Sequence, residues 1–273
     1  MKVYLVYFSP NRTSRTTLLN IAKGMNDIVP TEIDMTRPAE RSRKHVFKED
    51  DLVLYATITA QLLFSPNKEI FASMDGNGAR FVGVAMYGGQ FYGLTLQQLK
   101  KRALERGFHV IGLAACIAQH AIAKGYGTDR PDARDAEDEA AFGSRILEKF
   151  RLGETAMKEE PPFGWSETGN EQENAFLRTR MPQIDDDYVL PAELKTKTVD
   201  REKCIQCRKC EKGCPTEAID IERYNFDLDS CVACYRCVNS CPKQAISVTN
   251  KMMKGFESIR QPADRRVAPT FLV

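Results

Sequence analysis

Eight of the nine cysteines in this 273-residue chain lie between positions 204 and 241, and their spacing limits what that stretch can form. The first four follow the pattern C-x2-C-x2-C-x3-C and precede Pro215. The second four repeat this pattern 27 residues later and precede Pro242. An Ala-Ile pair begins four residues after the last cysteine of each copy, so the similarity extends beyond the cysteines. The stretch is therefore an internal repeat, and each copy supplies four thiols.

This spacing is typical of a chain that holds two 4Fe–4S clusters. Two-residue gaps allow a short, looped backbone to direct three thiolates at one cluster, and the fourth cysteine of each copy ligates the other cluster. The spacing therefore predicts two crossed ligand sets. One set is Cys204, Cys207, Cys210 and Cys241, and the other is Cys231, Cys234, Cys237 and Cys214.

Zinc is the structural alternative, since paired C-x2-C motifs also form four-cysteine zinc sites. Each zinc takes two pairs, however, and a cysteine triplet followed by Cys-Pro fits that arrangement poorly. A disulfide framework is disfavoured because nothing else in the sequence is typical of a secreted protein. The ninth cysteine, Cys116, lies in the apolar stretch IGLAACIA and is interpreted as a small buried hydrophobe.

The formal net charge of +2 counts every thiol as neutral. Two oxidised clusters, each about −2 with its four thiolates, shift the total to roughly −2. Either value is too small to indicate nucleic acid or a membrane surface as a partner. The N-terminus lacks the features of a signal peptide, and no apolar run approaches the ~18 residues of a membrane span. We therefore expect a cytoplasmic protein, and oxygen-labile clusters indicate an anaerobic one.

Residues 1–150 alternate between strand-like and helix-like patterns. Apolar runs rich in β-branched and aromatic residues predict five strands, at 3–8, 31–35, 52–56, 81–86 and 108–115. Helical spacing predicts helices that end near Gly24 and Gly107. A third helix is predicted at 132–150, where early acidic and late basic residues suit the helix dipole. This alternation indicates an open, mostly parallel α/β sheet.

Four segments at the predicted strand ends carry a resemblance to a known family: YFSPNRTSRTT, FKEDDLVLYA, MYGGQFYG and LKKRALERGFHVIGLAACIAQH. With the cysteine repeat, nearly the whole chain resembles the flavodoxin–ferredoxin fusion proteins of anaerobic prokaryotes. The resemblance implies an α/β flavodoxin-like five-stranded parallel sheet in the order 2-1-3-4-5, with FMN at the carboxyl ends of the strands. It also implies a small α+β bacterial-type ferredoxin domain with two 4Fe–4S clusters.

We expect four segments: a flavodoxin-like domain at 1–150, a wrapping linker at 151–198, the two-cluster ferredoxin domain at 199–250 and a basic C-terminal tail at 251–273. The linker has too many large apolar side chains for a free tether. They are Phe163, Trp165, Phe176, Met181 and Tyr188. The tail ends in an apolar segment and is expected either to dock on the body or to bind a partner.

The resemblance implies that three loops hold FMN. The phosphate loop consists of Ser9, Asn11, Arg12, Thr13 and Ser14. The second loop contributes Thr57, Ile58, Thr59 and Ala60, and the third contributes Tyr87, Gly88, Gly89, Phe91, Tyr92 and Gly93. A hydroxyl-rich loop between a strand and a helix also suits a phosphate on physical grounds. Arg12 stands where the family usually has a small residue or glycine, and we expect it either to contact the phosphate through its guanidinium or to indicate altered binding.

His120 follows the fifth predicted strand and matches a histidine in the family pattern, near the expected flavin edge. This position makes it the candidate catalytic residue. The structural alternative is a hydrogen-bonded loop histidine.

Clusters of this kind transfer single electrons, and FMN accepts them one at a time and delivers one or two. We therefore expect a flavo-iron-sulfur electron-transfer protein that connects low-potential donors, two 4Fe–4S clusters and FMN. Its partner would be a ferredoxin-like redox protein or a small-molecule acceptor. The alternatives are a ferredoxin-dependent flavin reductase and a non-flavin iron–sulfur sensor or adaptor. No G-x-G-x-x-G follows a strand, which disfavours direct reduction by NAD(P)H.

Overall fold

The computed structural model describes residues 1–26, 28–59, 63, 66–89, 92–123, 125–162, 164, 192–248 and 266–273. The strands of the N-terminal part are β1 (Val3–Phe8), β2 (Thr31–Asp34), β3 (His45–Val46), β4 (Leu52–Ile58), β5 (Met74–Asp75), β6 (Arg80–Tyr87) and β7 (His109–Ile117). Its helices are α1 (Thr13–Lys23), α2 (Pro38–Arg41), α3 (Pro66–Ser73), α4 (Thr95–Glu105) and α5 (Ala133–Arg151).

The C-terminal part contains shorter elements. They are α6 (Ala192–Lys195), β8 (Lys197–Val199), α7 (Lys209–Lys212), β9 (Ile219–Asp220), β10 (Asn225–Phe226), α8 (Arg236–Asn239), β11 (Ile246–Val248) and β12 (Thr270–Leu272). β8 pairs with β11 and β9 pairs with β10, both antiparallel. Among the described residues of this part, the core cluster is small and includes Ile219, Ile221 and Ile246. Small domains with a core of this size are commonly stabilised by a bound metal or by disulfides.

The central sheet has the strand order β12-β7-β6-β4-β1-β2. β2, β1, β4, β6 and β7 are parallel neighbours, which is the order 2-1-3-4-5 when the five are numbered along the chain. The expected flavodoxin-like sheet is therefore confirmed. β1, β4, β6 and β7 are buried on both faces, which explains why they are continuous apolar runs in the sequence.

The sheet also has a sixth strand that the sequence analysis did not predict. β12, at the C-terminus, pairs antiparallel with β7 in the register Leu272↔Leu113. The ring of Phe271 stacks on Phe142 of α5 at a centroid distance of 4.8 Å. Arg266 forms ion pairs with Asp132 (2.5 Å) and Asp135 (3.1 Å) at the start of α5. The described end of the tail therefore docks on the body.

The described start of the linker packs beside the same domain. The amide of Met157 donates to the carbonyl of Val110 (2.9 Å), and Gly164 forms a β-bridge with Gly93. The five large apolar linker residues named above lie outside the described residues. In the described part of the chain, no helix is both long and apolar enough to cross a membrane.

Helices α1 and α5 pack closely because glycines face the opposite backbone. A Cβ at Gly24 would lie 1.8 Å from the carbonyl oxygen of Ala140. Glu139 is buried in this interface at 1% exposure. Its carboxylate accepts hydrogen bonds from Thr17 Oγ1 and Asn20 Nδ2, both at 2.8 Å. Burial nevertheless raises the pKa of Glu139 to about 7.

A raised pKa in the folded state means that stability is fully present below the unfolded-state pKa and is lost as pH rises through the folded value. Glu139 should therefore cost about 1 kcal/mol of stability between pH 6 and pH 8. We expect Glu139→Gln to remove this part of the pH dependence, because the amide stays neutral. Thermal unfolding of both proteins at the two pH values checks this. An equal loss of stability in the variant would contradict it.

Candidate functional site

The structure groups the eight cysteines of the repeat around two cavities. The outer cysteine set is Cys204, Cys207, Cys210 and Cys241. The inner cysteine set is Cys214, Cys231, Cys234 and Cys237. The cavities are similar in empty volume, about 330 Å³ and 340 Å³. Each set combines three cysteines of one copy with the fourth cysteine of the other copy, which is the grouping that the spacing predicts.

The backbone around both sets repeats an uncommon conformation. Three pairs of non-glycine residues 27 positions apart have positive φ: Gln206 and Ala233, Arg208 and Tyr235, and Glu217 and Gln244. Positive φ is rare for such residues. Turns of this kind can direct amides into one concavity that suits an anionic group, iron–sulfur clusters included. In addition, the amides of Ala218 and Ala245 donate to the sulfurs of Cys214 and Cys241, both at 3.3 Å.

The chemistry of these donors fits a metal cluster. Burial raises the pKa of the Cys234 and Cys237 thiols to about 12, so they keep their protons at neutral pH unless a metal replaces them. Among the described residues, no group of three or more His, Cys, Asp or Glu is placed to hold a single metal ion. Four cysteines around each cavity, with amides directed at the sulfurs, suit a 4Fe–4S cluster.

A third cavity lies at the carboxyl ends of the parallel strands. It has an empty volume of about 850 Å³, which includes the open solvent at its mouth. The strand order reverses between β1 and β4, and ligands of open α/β sheets bind at such a switch point. One wall comes from the loops after β1, β4, β6 and β7. The other comes from Leu194 and residues 232–235, next to the inner cysteine set.

Seven of the predicted flavin-site residues line this third cavity: Asn11, Thr13, Ile58, Thr59, Tyr87, Gly88 and His120. Seven others are described but are not among its lining residues: Ser9, Arg12, Ser14, Thr57, Gly89, Tyr92 and Gly93. Ala60 and Phe91 lie outside the described residues. The mixture of polar and apolar lining suits a planar ring with polar edges, so the residues present fit a flavin.

The residues that do not line the cavity mostly serve the scaffold. The Ser14 hydroxyl is buried and donates to the carbonyl of Phe8 (3.0 Å). The Ser9 hydroxyl accepts from the amide of Arg15 (3.1 Å). The ring of Tyr92 is buried against Tyr87 at 5.3 Å, in an edge-to-face arrangement. Ser14 and Tyr92 therefore shape the loops rather than face the cavity.

Arg12 has φ 70° at the N-cap of α1. Its side chain is exposed, and its carbonyl accepts the amide of Thr16 (3.0 Å). The left-handed conformation favours glycine, which explains why a glycine suits this position of the loop. The first amides of α1 have no acceptor within the helix and carry its positive dipole end. A helix N-terminus of this kind favours anionic groups.

His120 is held as a neutral imidazole. Its Nδ1 accepts hydrogen bonds from the amides of Ile122 (3.3 Å) and Ala123 (3.0 Å), so Nε2 carries the hydrogen. Burial lowers the pKa of His120 to about 4. A Cβ at Gly88 would lie 2.4 Å from His120 Cδ2, so only glycine leaves room for this ring. At neutral pH this histidine can donate a hydrogen bond but is not a source of protons as imidazolium.

Cys234 and residues close to the inner cysteine set are hydrogen-bonded to the flavodoxin-like domain. The contacts are Asn11 Nδ2 to Cys234 O (2.9 Å), Arg41 Nη2 to Pro215 O (2.8 Å), Arg236 Nη1 to Pro10 O (3.1 Å) and Asn239 Nδ2 to Ala121 O (3.0 Å). Cys234 lines both the inner cavity and the third cavity. Cys207 of the outer set is exposed. The inner cavity therefore adjoins the third cavity, and the outer cysteine set reaches the surface at Cys207.

Several lining residues of the third cavity were not predicted. Ala118, Gln119, Ala121 and Ile122 follow β7, and the position after a parallel strand is the signal that points to them. Val232, Ala233 and Tyr235 belong to the cysteine repeat. No local pattern identifies them, because they reach the cavity only through docking of the two parts.

Residues 203–245 match the family model described as a 4Fe-4S dicluster domain. Among solved structures, a flavodoxin from the domain Archaea is 16% identical, covering 55% of this chain and 99% of its own, with a TM-score of 0.39. Oxidised flavodoxin 1 from Bacillus cereus is 14% identical over 54% and 98% of the two chains, TM-score 0.39. The flavodoxin-like domain of a Synechococcus protein is 15% identical over 55% and 99%, TM-score 0.35. No curated protein matches the chain.

The dicluster match and the flavodoxin strand order are consistent with a flavodoxin–ferredoxin fusion. The 4Fe-4S dicluster match and the flavodoxin-like sheet together support an electron-transfer redox protein, and such domains imply redox partners.

Proposed function

We propose that the chain passes single electrons between an external low-potential partner and FMN, through two 4Fe–4S clusters held by the outer and inner cysteine sets. The observation that carries this proposal is the position of Cys234, which lines the inner cavity and also the third cavity. The third cavity would hold the flavin ring, and residues 9–14 would hold its phosphate. Clusters supply one-electron transfer, and FMN supplies the exchange between one and two electrons.

The chain's own residues hold the two ends of this route together. Asn11 bonds the carbonyl of Cys234, and Arg236 bonds that of Pro10, so the phosphate loop and the inner cysteine set hold each other in place. Exposed Cys207 and Ile205, which is 58% exposed, place the outer cavity where an external redox protein can approach. Joining the parts in one chain gives each a high effective concentration for the other.

The test is anaerobic purification followed by iron, sulfide and flavin quantitation on one sample. We expect about eight irons and about one FMN per chain. Eight irons without flavin, even after FMN is added, would refute the relay and favour the sensor or adaptor alternative. Rapid mixing with a reduced ferredoxin should then show that the flavin is reduced after the clusters.

The side chain of Arg12 provides a narrower test of the phosphate site. We expect Arg12→Ala to lower FMN retention by about tenfold while iron content stays unchanged, because a guanidinium contact to phosphate is a charge-assisted hydrogen bond. Equilibrium dialysis against FMN measures the change. Arg12→Lys keeps the charge but not the forked geometry, so its FMN affinity should lie between those of the unchanged protein and Arg12→Ala. Equal FMN affinity in Arg12→Ala would show that the backbone alone binds the phosphate.

A further inference from the structure

Lys197 is a buried cation in contact with the inner cysteine set. The side chain lines the inner cavity, and the residue is only 9% exposed. Its Nζ donates to Cys231 Sγ (3.2 Å) and to the carbonyl of Lys195 (2.6 Å). The rings of Phe226 and Tyr235 lie 5.8 Å and 5.5 Å from the same nitrogen, as in cation–π pairs. The ammonium is therefore fixed against one cysteine sulfur.

The two halves of the cysteine repeat differ in this respect. The outer cavity is also lined by basic residues, Arg208, Lys209 and Lys243, but all three are exposed to solvent. Water and salt screen exposed charges, whereas a buried charge acts through a lower dielectric. Twenty-seven residues after Lys197, the repeat has the neutral Tyr224. The cysteines of the two copies have equivalent spacing. Among the described residues, however, only the inner cysteine set has a buried lysine against one of its sulfurs.

We propose that Lys197 raises the reduction potential of the cluster on the inner cysteine set, and so directs electrons from the outer set to the inner set and on to the third cavity. In this step one electron leaves the outer cluster, which is oxidised, and reaches the inner cluster, which is reduced. No bond or proton is exchanged. The proposal rests on the proposed function for the identity of the cofactors.

The physical reason is the charge that reduction adds. Each electron makes a cluster with four thiolates more negative, so a cationic donor at a ligand sulfur stabilises the reduced form more than the oxidised form. Burial acts in the opposite direction, since a low dielectric disfavours added charge. The outer set has the exposed Cys207, whereas none of the inner four is exposed. Without Lys197, burial would make the inner cluster the poorer acceptor, and its ammonium offsets this.

The test is an EPR-monitored redox titration of the full chain with Lys197→Met and Lys197→Arg. Iron and sulfide assays first establish that both clusters are present, and a Cys207→Ala sample identifies the signal of the outer cluster. We expect Lys197→Met to shift the distribution of an electron between the clusters about tenfold towards the outer one, a 59 mV fall in one potential. Lys197→Arg should keep the potential of the inner cluster close to that of the unchanged protein, because the positive charge remains.

Lys243→Met is the matched control. It removes the same charge from an exposed lysine at the outer cavity, and we expect a smaller shift there. Unchanged potentials in Lys197→Met, or an equal shift in Lys243→Met, would overturn the proposal.

If Lys197→Met does not assemble its clusters, a measurement on the unchanged sequence tests whether the Lys197 nitrogen lies against the inner cluster. Protein labelled with ¹⁵N at lysine Nζ should show, by pulsed EPR of the reduced sample, a lysine nitrogen coupled to the inner cluster only. Absence of that coupling would overturn the proposal. Loss of flavin alone would refute the relay to FMN but leave the cluster potentials testable, so the two failures are distinguishable.

Discussion

Replacement of Cys214 by alanine should remove the cluster of the inner cysteine set and leave the outer cluster in place. Cys214 precedes Pro215 in the first copy of the repeat, yet it shares a cavity with Cys231, Cys234 and Cys237 of the second copy. Loss of one thiolate from a four-cysteine set typically destabilises the cluster that it holds. We therefore expect iron to fall from about eight to about four per chain, and electron transfer to FMN to stop.

Pairs of substitutions identify the partner cysteines without assigning spectra. If Cys214 and Cys231 hold one cluster, Cys214→Ala with Cys231→Ala should still leave about four irons. Cys214→Ala with Cys207→Ala should leave almost none, because one change falls in each set. Cys116→Ala is the control for loss of a buried thiol: Cys116 is 1% exposed and lines neither cysteine cavity, so iron should not change. The reverse pattern in the two pairs would contradict the crossed grouping.

The features that could be predicted from the sequence are those encoded in neighbouring residues. The strands β1, β4, β6 and β7 are buried on both faces, so each is a continuous apolar run that is visible without the structure. The grouping of cysteines follows from their spacing, because the cluster geometry fixes which thiolates of a short loop can converge. Helix α5 could be predicted because acidic residues lie early and basic residues late in 132–150, and the structure adds a capping box between Asp132 and Asp135.

The features that could not be predicted depend on contacts between distant segments. β12 has only three residues and finds its partner at the edge of β7, so its own pattern gives no register. Tyr87 at the end of β6 and Tyr92 in the following loop have the same side chain, but Tyr87 lines the third cavity and Tyr92 does not. Residues 232–235 line the third cavity together with loops from a distant part of the sequence, so this wall depends on docking of the two parts.

Arg41 is a buried residue that joins these two parts, and its removal should slow electron transfer between them. Its side chain is only 6% exposed. Nη1 donates to the carbonyls of Met35 (2.9 Å) and Thr36 (3.2 Å), and Nη2 donates to that of Pro215 (2.8 Å), next to Cys214. Arg41→Ala leaves three buried acceptors without this donor, at about 1–3 kcal/mol each. We expect a total loss of roughly 3 kcal/mol or more in the free energy of unfolding.

Arg41→Ala should change the rate of flavin reduction more than it changes the iron or FMN content. Small displacements of reacting groups can reduce rates by about 10²-fold, so we expect Arg41→Ala to retain iron and FMN but to slow flavin reduction by roughly that factor. Stopped-flow mixing with a reduced ferredoxin measures this.

Glu69→Ala is the matched control, because it removes the exposed partner of Arg41 Nε (3.1 Å) and leaves the bond to Pro215. Exposed ion pairs contribute about 0–1 kcal/mol, so its rate and stability should change little. A normal rate in Arg41→Ala would show that the cavity between the two parts does not depend on this bond, and that the contacts of Asn11 and Arg236 are sufficient to hold it.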